Sequence, residues 1–337
     1  VFEKEKEACK CFDETIFRNI IGDNMGIPQL SYSMLCTFMH CKRFYYYKYH
    51  LALEIAGLHM PFFTGGCVNH GVQYIMAGGK DVETEIKKHM KKEVKKIRAE
   101  NFLSIENETA LEEQQIIIRG IVSAYKKKYR KTFLKSIKKA ESEYVVVKDF
   151  DKFRVKVKID NLIKSKAGII LHELKTTKTL NVEYVRQIQS DFQTCLYYHI
   201  YNIENPKYPV EHIVYDVIRK PSIRQRQNET KTQYLRRLGQ YYEDDASDNL
   251  FHMETRKAPI ISEKLTLKAI QGAFRDMKRC RKPDDYYCNY AGCYVYYGKC
   301  DYYDLCYAEN KREYKFAMGK YKINQKIVKG RKYGTSR

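Results

Sequence analysis

Three side chains stand out by type and spacing: Asp160, Glu173 and Lys175, all within the stretch FRVKVKIDNLIKSKAGIILHELKTTK (153–178). Val155, Val157 and Ile159 alternate with Arg154, Lys156, Lys158 and Asp160, and a second apolar run extends from Ile169 to Thr176. Alternation of this kind around a glycine-containing turn predicts a hairpin. With Ser165–Gly168 as the turn and Lys164 opposite Ile169, Asp160 falls opposite Glu173. Lys175 then shares the face of Glu173, because side chains on a strand repeat every second residue. Carboxylates held side by side repel, and one takes up a proton unless a cation lies between them. Mg²⁺ or Mn²⁺ relieves that cost through oxygen ligands. Such an ion activates a water for in-line attack on phosphorus and stabilises the leaving oxygen, and the lysine helps place that water. The plain alternative is a solvated hairpin bearing ordinary charges; three residues alone suit either reading.

The elements that must position the hairpin follow from periodicity. The strand EYVVV (143–147) leads into it. After it, residues 182–202 predict one amphipathic helix on which Gln193 and Tyr197, four residues apart, share a stripe and can face one ligand. A strand over 211–220 ends at Pro221, 222–248 is helical in its middle, 251–256 forms a short strand, and 262–280 a further helix. Upstream, Ser31 caps a helix that bears Leu35, Phe38, Met39 and Tyr46 and contains Cys41. Gly65 and Gly66 precede a second helix whose buried stripe is Val68, Val72 and Ile75, with His70 off that stripe. A histidine so placed reads, by itself, as structural or surface. Residues 81–140 predict two long helices rich in lysine, singly solvated faces and together an electrostatic track for a phosphate backbone.

Composition points the same way. The 337 residues carry a formal charge of +21, which implies a polyanionic partner, and 44% hydrophobic content supplies a sizeable core. Tyrosine is abundant at 30 and tryptophan absent; most of these rings are expected to pack, and those beside Lys and Arg suit stacked bases. The charged opening VFEKEKEACK and the lack of a long apolar run predict a cytoplasmic protein without a membrane partner. Eleven cysteines in that setting point to metal more than to disulfides.

Four of the cysteines, Cys288, Cys293, Cys300 and Cys306, lie close together. The spacing Cys293-x6-Cys300-x5-Cys306 is wider than the tight knuckles of structural zinc sites. It suits a cubane iron–sulfur cluster, which takes four cysteines. The trio needs one more ligand: Cys41 is the candidate, Cys288 the local rival, and Cys36 a third choice. Zinc and unligated thiols remain the alternatives.

Taken in order, Ser31-x-Ser33, Phe38-x-x-Cys41, Gly66 to His70, Ile159-Asp160, Glu173-Leu174-Lys175-Thr176, Gln193-x3-Tyr197 and the cysteine trio resemble the RecB-like branch of PD-(D/E)XK nucleases. The likeness spans about Leu30 to Cys306 and is similar in particular to iron–sulfur members: bacteriophage recombination exonucleases, AddB-type nuclease domains and CRISPR-associated adaptation exonucleases. The resemblance implies that His70, Asp160, Glu173 and the backbone carbonyl of Leu174 ligate Mg²⁺ or Mn²⁺. It implies that Lys175 orients the attacking water, that Gln193 and Tyr197 position DNA or the lysine, and that Cys41, Cys293, Cys300 and Cys306 carry a [4Fe–4S] cluster.

The expected fold is therefore α/β and restriction-endonuclease-like: a mixed central sheet flanked by helices, with a helical insertion and a C-terminal iron–sulfur clasp. Its expected parts are a loosely structured segment (1–30), the nuclease core (31–285) with its insertion at 80–140, the cysteine cluster (286–310) and a basic tail (311–337). The expected activity is metal-dependent hydrolysis of DNA, as an exonuclease on single strands or duplex ends in phage or bacterial recombination, with an annealing protein as possible partner. The alternatives are trimming of prespacers beside an integrase and, in another class, an inactive DNA-binding scaffold.

Overall fold

A computed structural model describes residues 27–57, 59–100, 104–220, 223–243, 250–295 and 298–328. Most of the expected N-terminal segment (1–26) and the end of the expected tail (329–337) lie outside the described residues. The first elements are β1 (Gln29–Ser31), α1 (Tyr32–His40), α2 (Lys42–Tyr45), a π-helical turn (Tyr46–His50) and β2 (Leu53–Ile55). Four helices follow: α3 (Met60–Met76), α4 (Val82–Glu100), α5 (Ile105–Tyr129) and α6 (Phe133–Ser136). Then come β3 (Ile137–Asp149), β4 (Arg154–Ser165), β5 (Gly168–Thr177), α7 (Val182–Gln189), α8 (Phe192–Glu204) and β6 (Val210–Arg219). The chain continues through α9 (Lys231–Glu243), β7 (Phe251–Arg256) and α10 (Glu263–Arg279). It ends with β8 (Tyr294–Val295), β9 (Gly298–Lys299), α11 (Tyr303–Cys306), α12 (Lys311–Met318) and β10 (Tyr321–Ile323). No helix of the described residues is long and apolar enough to cross a membrane.

The chain divides into two compact units. One comprises Val1–Ala56, Val147–Val157 and Glu263–Arg337; the other comprises Gly57–Val146 and Lys158–Ser262. β3 and β4 each begin in one unit and end in the other.

The second unit holds a mixed sheet. β4 pairs antiparallel with β5, β5 parallel with β6, and β6 antiparallel with β7, while β3 pairs with β4. One face of this sheet supplies Ile163, Ile170, Leu174, Val214 and Ile218 to a core shared with Val68 and Val72 of α3 and Ile118, Ile121 and Tyr125 of α5. The two expected lysine-rich helices are α4 and α5. Ile86, Met90 and Val94, four residues apart, form the buried stripe of α4, and Ser104 caps α5 by accepting from Asn107 N at 3.3 Å.

Gly65 and Gly66 depart from expectation, since α3 runs through them rather than starting after them. Close approach explains Gly65: a Cβ there would stand 3.3 Å from Thr176 Oγ1 of β5. Gly71 is tighter still, with Val122 Cγ2 at 2.7 Å and Ile86 Cδ1 at 2.8 Å from the Cβ it lacks, so α3 packs backbone-close on α4 and α5.

The first unit is built on tyrosine. Tyr45, Tyr46, Tyr47, Tyr286, Tyr302 and Tyr314 are buried with Phe38, Leu51, Leu53 and Leu305. Their hydroxyls find partners, as buried phenols must: Tyr302 donates to Leu53 O at 2.6 Å, and Tyr286 Oη lies 2.8 Å from His50 Nε2. β1 pairs parallel with Arg154–Lys156 of β4. Ser31 caps α1 as expected, accepting from Met34 N at 3.3 Å.

Two expected features of this unit turn out differently. The helix after Ser31 breaks at Cys41, whose backbone is extended (φ −157°, ψ 118°). Asn289 ties the break down, donating from Nδ2 to His40 O (2.7 Å) and from its backbone N to Cys41 Sγ (3.3 Å). The stretch expected as a basic tail begins folded. Asn310 caps α12, burying Tyr314 and Ala317, and β10 pairs antiparallel with β2.

Candidate active site

The hairpin that carries Asp160, Glu173 and Lys175 has the register the turn predicts. Lys164 faces Ile169, and Asn161 faces His172, which places Asp160 and Glu173 one step further along. Gly168 makes the turn possible, with φ +101° and no room for a side chain, since a Cβ would stand 2.1 Å from Glu211 Oε1. Ser165 Oγ clamps the turn, accepting from Ala167 N (3.0 Å) and donating to Gly168 O (3.1 Å).

Glu173 is 1% exposed and sits at the centre. Its Oε1 accepts from Lys175 Nζ and from Gln193 Nε2, both at 2.7 Å. Its Oε2 is buried without a hydrogen-bond partner. Burial first, and then the neighbouring Asp160, push the Glu173 carboxyl up to about 8. Asp160 is also raised, by burial, against the opposing pull of the Leu174 N–H, which donates to Asp160 Oδ2 at 3.2 Å, and of Lys175. Burial works against the Lys175 ammonium, but the carboxylates of Glu173 and Asp191 outweigh it and raise its pKa, so it stays charged.

Gln193 holds this arrangement from α8. Its Oε1 accepts from Lys175 Nζ at 2.5 Å, and its Nε2 also reaches Tyr197 Oη at 3.3 Å. The expected single helix over 182–202 is in fact two, α7 and α8, broken at Ser190–Asp191. Asp191 caps the second by accepting from Gln193 N at 3.0 Å, which places Gln193, the residue that touches Glu173, in the first turn of α8.

His70 does not join the carboxylates. Its Nε2 stands 3.0 Å from Glu85 Oε1 on α4, and its ring stacks on His89 with centroids 3.8 Å apart. The stripe of α3 that faces the hairpin is instead Gly65, Asn69 and Gln73. Gln73 Nε2 donates to Asp160 O at 3.3 Å, and Asn69 Oδ1 is buried without a partner. Sequence reasoning passes over Asn69, Gln73 and Glu85; the one signal was the spacing of four that aligns Asn69 and Gln73 with Gly65. Among the described residues, no three His, Cys, Asp or Glu side chains converge closely enough to hold a metal ion.

The donor set at the hairpin nonetheless suits a divalent cation. An orphaned buried carboxylate oxygen, next to a second carboxyl with a raised pKa, is what a hard cation would satisfy. A pH dependence follows. A carboxyl raised from 4.5 to about 8 keeps its proton in the folded protein while the unfolded chain has lost it, so the stabilisation is full below 4.5 and is lost as pH rises towards 8. Metal-free protein is therefore expected to melt at progressively lower temperature between pH 5 and 8, by about 1.4 kcal/mol of stability per unit at most. Mg²⁺ is expected to restore stability at pH 8 far more than at pH 5. Thermal melts with and without Mg²⁺ check this; a flat pH profile and no response to Mg²⁺ contradict it.

On the opposite face of the hairpin lies a polar relay, buried at Asn161, His172, Asp216 and Tyr125 and exposed at Ser142. Asn161 follows Asp160 and His172 precedes Glu173, so both point away from the acids. Asn161 Nδ2 lies 3.2 Å from His172 Nδ1, and Ser142 Oγ donates to Asn161 Oδ1 at 2.8 Å. His172 Nε2 lies 3.2 Å from Asp216 Oδ2, which also accepts from Tyr125 Oη at 2.6 Å. The relay connects β3, β4, β5, β6 and α5 behind the acids.

The first unit gathers the cysteines in pairs. Cys293 donates to Asn289 O at 3.7 Å and accepts from Tyr307 Oη at 3.7 Å, and Cys300 N donates to Cys293 O at 2.9 Å. Burial pushes the Cys300 thiol up to about 11, with Cys41 and Cys293 near enough to contribute. Cys306 is raised by a hydrogen bond with Cys288 and by burial. No disulfide joins the described cysteines.

Comparison with known proteins places the chain in a family. A family profile described as the PD-(D/E)XK nuclease superfamily matches residues 29–306. No curated protein is similar enough to count as a match. Among solved structures, a presumed exonuclease from Eubacterium rectale is 12% identical at a TM-score of 0.42, over 88% of this chain and 92% of that one. The protein SSO0001 is 12% identical at a TM-score of 0.28, over 66% of this chain and 77% of that one. The assignment rests on the profile, which spans the Asp160, Glu173 and Lys175 site: the chain belongs to the PD-(D/E)XK nuclease superfamily.

Proposed function

We propose that the protein hydrolyses DNA phosphodiester bonds in a metal-dependent reaction, as an exonuclease on single strands or duplex ends. The observation that carries the reading is the partnerless, buried Oε2 of Glu173 beside Asp160, with Lys175 held charged two residues away. Asp160, Glu173 and the Leu174 carbonyl are the groups to hold Mg²⁺ or Mn²⁺, with His70 as a further ligand once it leaves Glu85. The ion would supply Lewis-acid activation of water and stabilisation of the leaving oxygen. The chain's own groups do the rest. Lys175 offers an ammonium to orient the water and to stabilise charge on the crowded phosphate. Gln193 fixes Lys175 and Glu173 together through its two amide atoms. Cleavage of end-labelled DNA with Mg²⁺, Mn²⁺ or EDTA tests the reading.

A second reading, a DNA-binding scaffold without cleavage, is favoured by the engagement of His70 with Glu85 and His89. It predicts tight binding and no product with any metal. Within the nuclease reading, recombination and prespacer trimming differ in partner, an annealing protein or an integrase, and co-purification separates them.

A [4Fe–4S] cluster on Cys41, Cys293, Cys300 and Cys306, with Cys288 the rival to Cys41, is proposed on the sequence spacing alone, since among the described residues these thiols do not converge into a metal site. Thiolates are the donor type that soft iron takes, and Cys41 and Cys293 are buried while Cys300 and Cys306 are half-buried. Anaerobically purified protein is expected to be brown and to carry about four irons per chain. Stoichiometric zinc, or no metal, contradicts the assignment.

A further inference from the structure

The helical insertion carries a groove that the active-site residues do not use. It runs between α4 and α5 with a volume of about 560 Å³, and Lys87, Lys91, Lys95 and Arg98 line it from α4 and Gln115 and Arg119 from α5. Met90 and Val94 form its apolar floor, and no acidic side chain of the described residues lines it. Arg119 also lines a second hollow of about 930 Å³ that extends to α9, where Lys126 and Lys127 of α5 and Arg236 of α9 stand with Asp81 and Glu83.

Lys87, Lys91 and Lys95 stand four residues apart, so they form one stripe with a step of about 6 Å along the helix axis. Phosphates of one duplex strand advance by about 3.4 Å each along the axis while the strand winds around it, so the stripe's step is of the size of the phosphate repeat without fixing a register. Like charges at this spacing repel and destabilise a helix, a cost that a bound polyanion removes. Lys87 pairs with Glu83 (2.8 Å), Arg119 with Glu83 (3.0 Å) and Arg98 with Glu108 (2.7 Å), all on exposed surface where such pairs are weak and replaceable. Among the described residues Lys91 and Lys95 form no ion pair.

We propose that this groove is a track for a nucleic-acid backbone, in which Lys91 and Lys95 contact phosphates directly and the strand is held without regard to base sequence. The proposal rests on the nuclease reading and names a second contact surface for its substrate. Single strands and duplexes share the phosphate chemistry, and the test separates them.

The test measures binding of fluorescein-labelled oligothymidylate and of a blunt duplex in EDTA across a salt series, for the wild type, K91Q/K95Q and K91R/K95R. In the glutamine variant the dependence of log Kobs on log salt is expected to flatten by about 1.4 for a single strand, or about 1.8 for a duplex, as two phosphate contacts are lost. Affinity at low salt is expected to fall roughly tenfold, with K91R/K95R near the wild type. The substrate whose slope changes identifies the strand in the track. Slopes and affinities unchanged for both substrates overturn the track, while wild-type cleavage in the same preparation leaves the nuclease reading standing. Wild-type protein that neither binds nor cleaves either substrate overturns both.

Discussion

Glu173→Ala is expected to lower the rate of metal-dependent DNA cleavage by about 10³-fold or more, since loss of the proposed metal anchor would remove several kcal/mol of transition-state stabilisation. Lys175→Ala is expected to have an effect of the same order through kcat, because its ammonium is fixed by Glu173 and Gln193. The folded state should survive the glutamate change. It removes a buried carboxyl that burial and Asp160 already disfavour as an anion, so metal-free Glu173→Ala is expected to lose the decline in stability between pH 5 and 8. Single-turnover cleavage and pH-dependent melts check both halves. Cleavage at wild-type rates in both variants would remove the hairpin from the mechanism.

His172→Ala is expected to destabilise the protein by about 3 kcal/mol or more, among the largest effects available outside the acids themselves. The ring is fully buried and links Asn161 to Asp216. Its removal opens a cavity and leaves Asn161 Nδ2 short of its partner. It also leaves Asp216 with Tyr125 alone, although Asp216 Oδ1 already lacks a partner. Urea unfolding measures the loss directly. A ΔΔG within about 0.5 kcal/mol of zero would mean that the relay contributes no more than a surface contact does. Because Asn161 and His172 face each other and lie next to Asp160 and Glu173, the relay also fixes the register on which the proposed site depends.

That register was legible in the sequence because it is local. Alternation set the faces, the turn set the pairing, and a slip of one residue would have turned the acids into the core. Gln193 and Tyr197 were legible as one stripe for the same reason. The break at Ser190–Asp191 was missed because the apolar period continues across it, although Asp before an apolar run is itself a capping signal. The extended Cys41 was beyond local reading, since the residue that ties it down, Asn289, is 248 positions away. The surroundings of His70 depended likewise on where α4 would bring Glu85 and His89. The folded start of the expected tail was hidden for a similar reason: β10 exists only through its pairing with β2.

The most direct measurement is cleavage of end-labelled single- and double-stranded DNA by anaerobically purified protein in Mg²⁺, Mn²⁺ or EDTA, beside Glu173→Ala. The account predicts loss of nucleotides from an end that requires the metal and is absent in the variant. Tight DNA binding with no product under any metal, or equal cleavage by the variant, would contradict it.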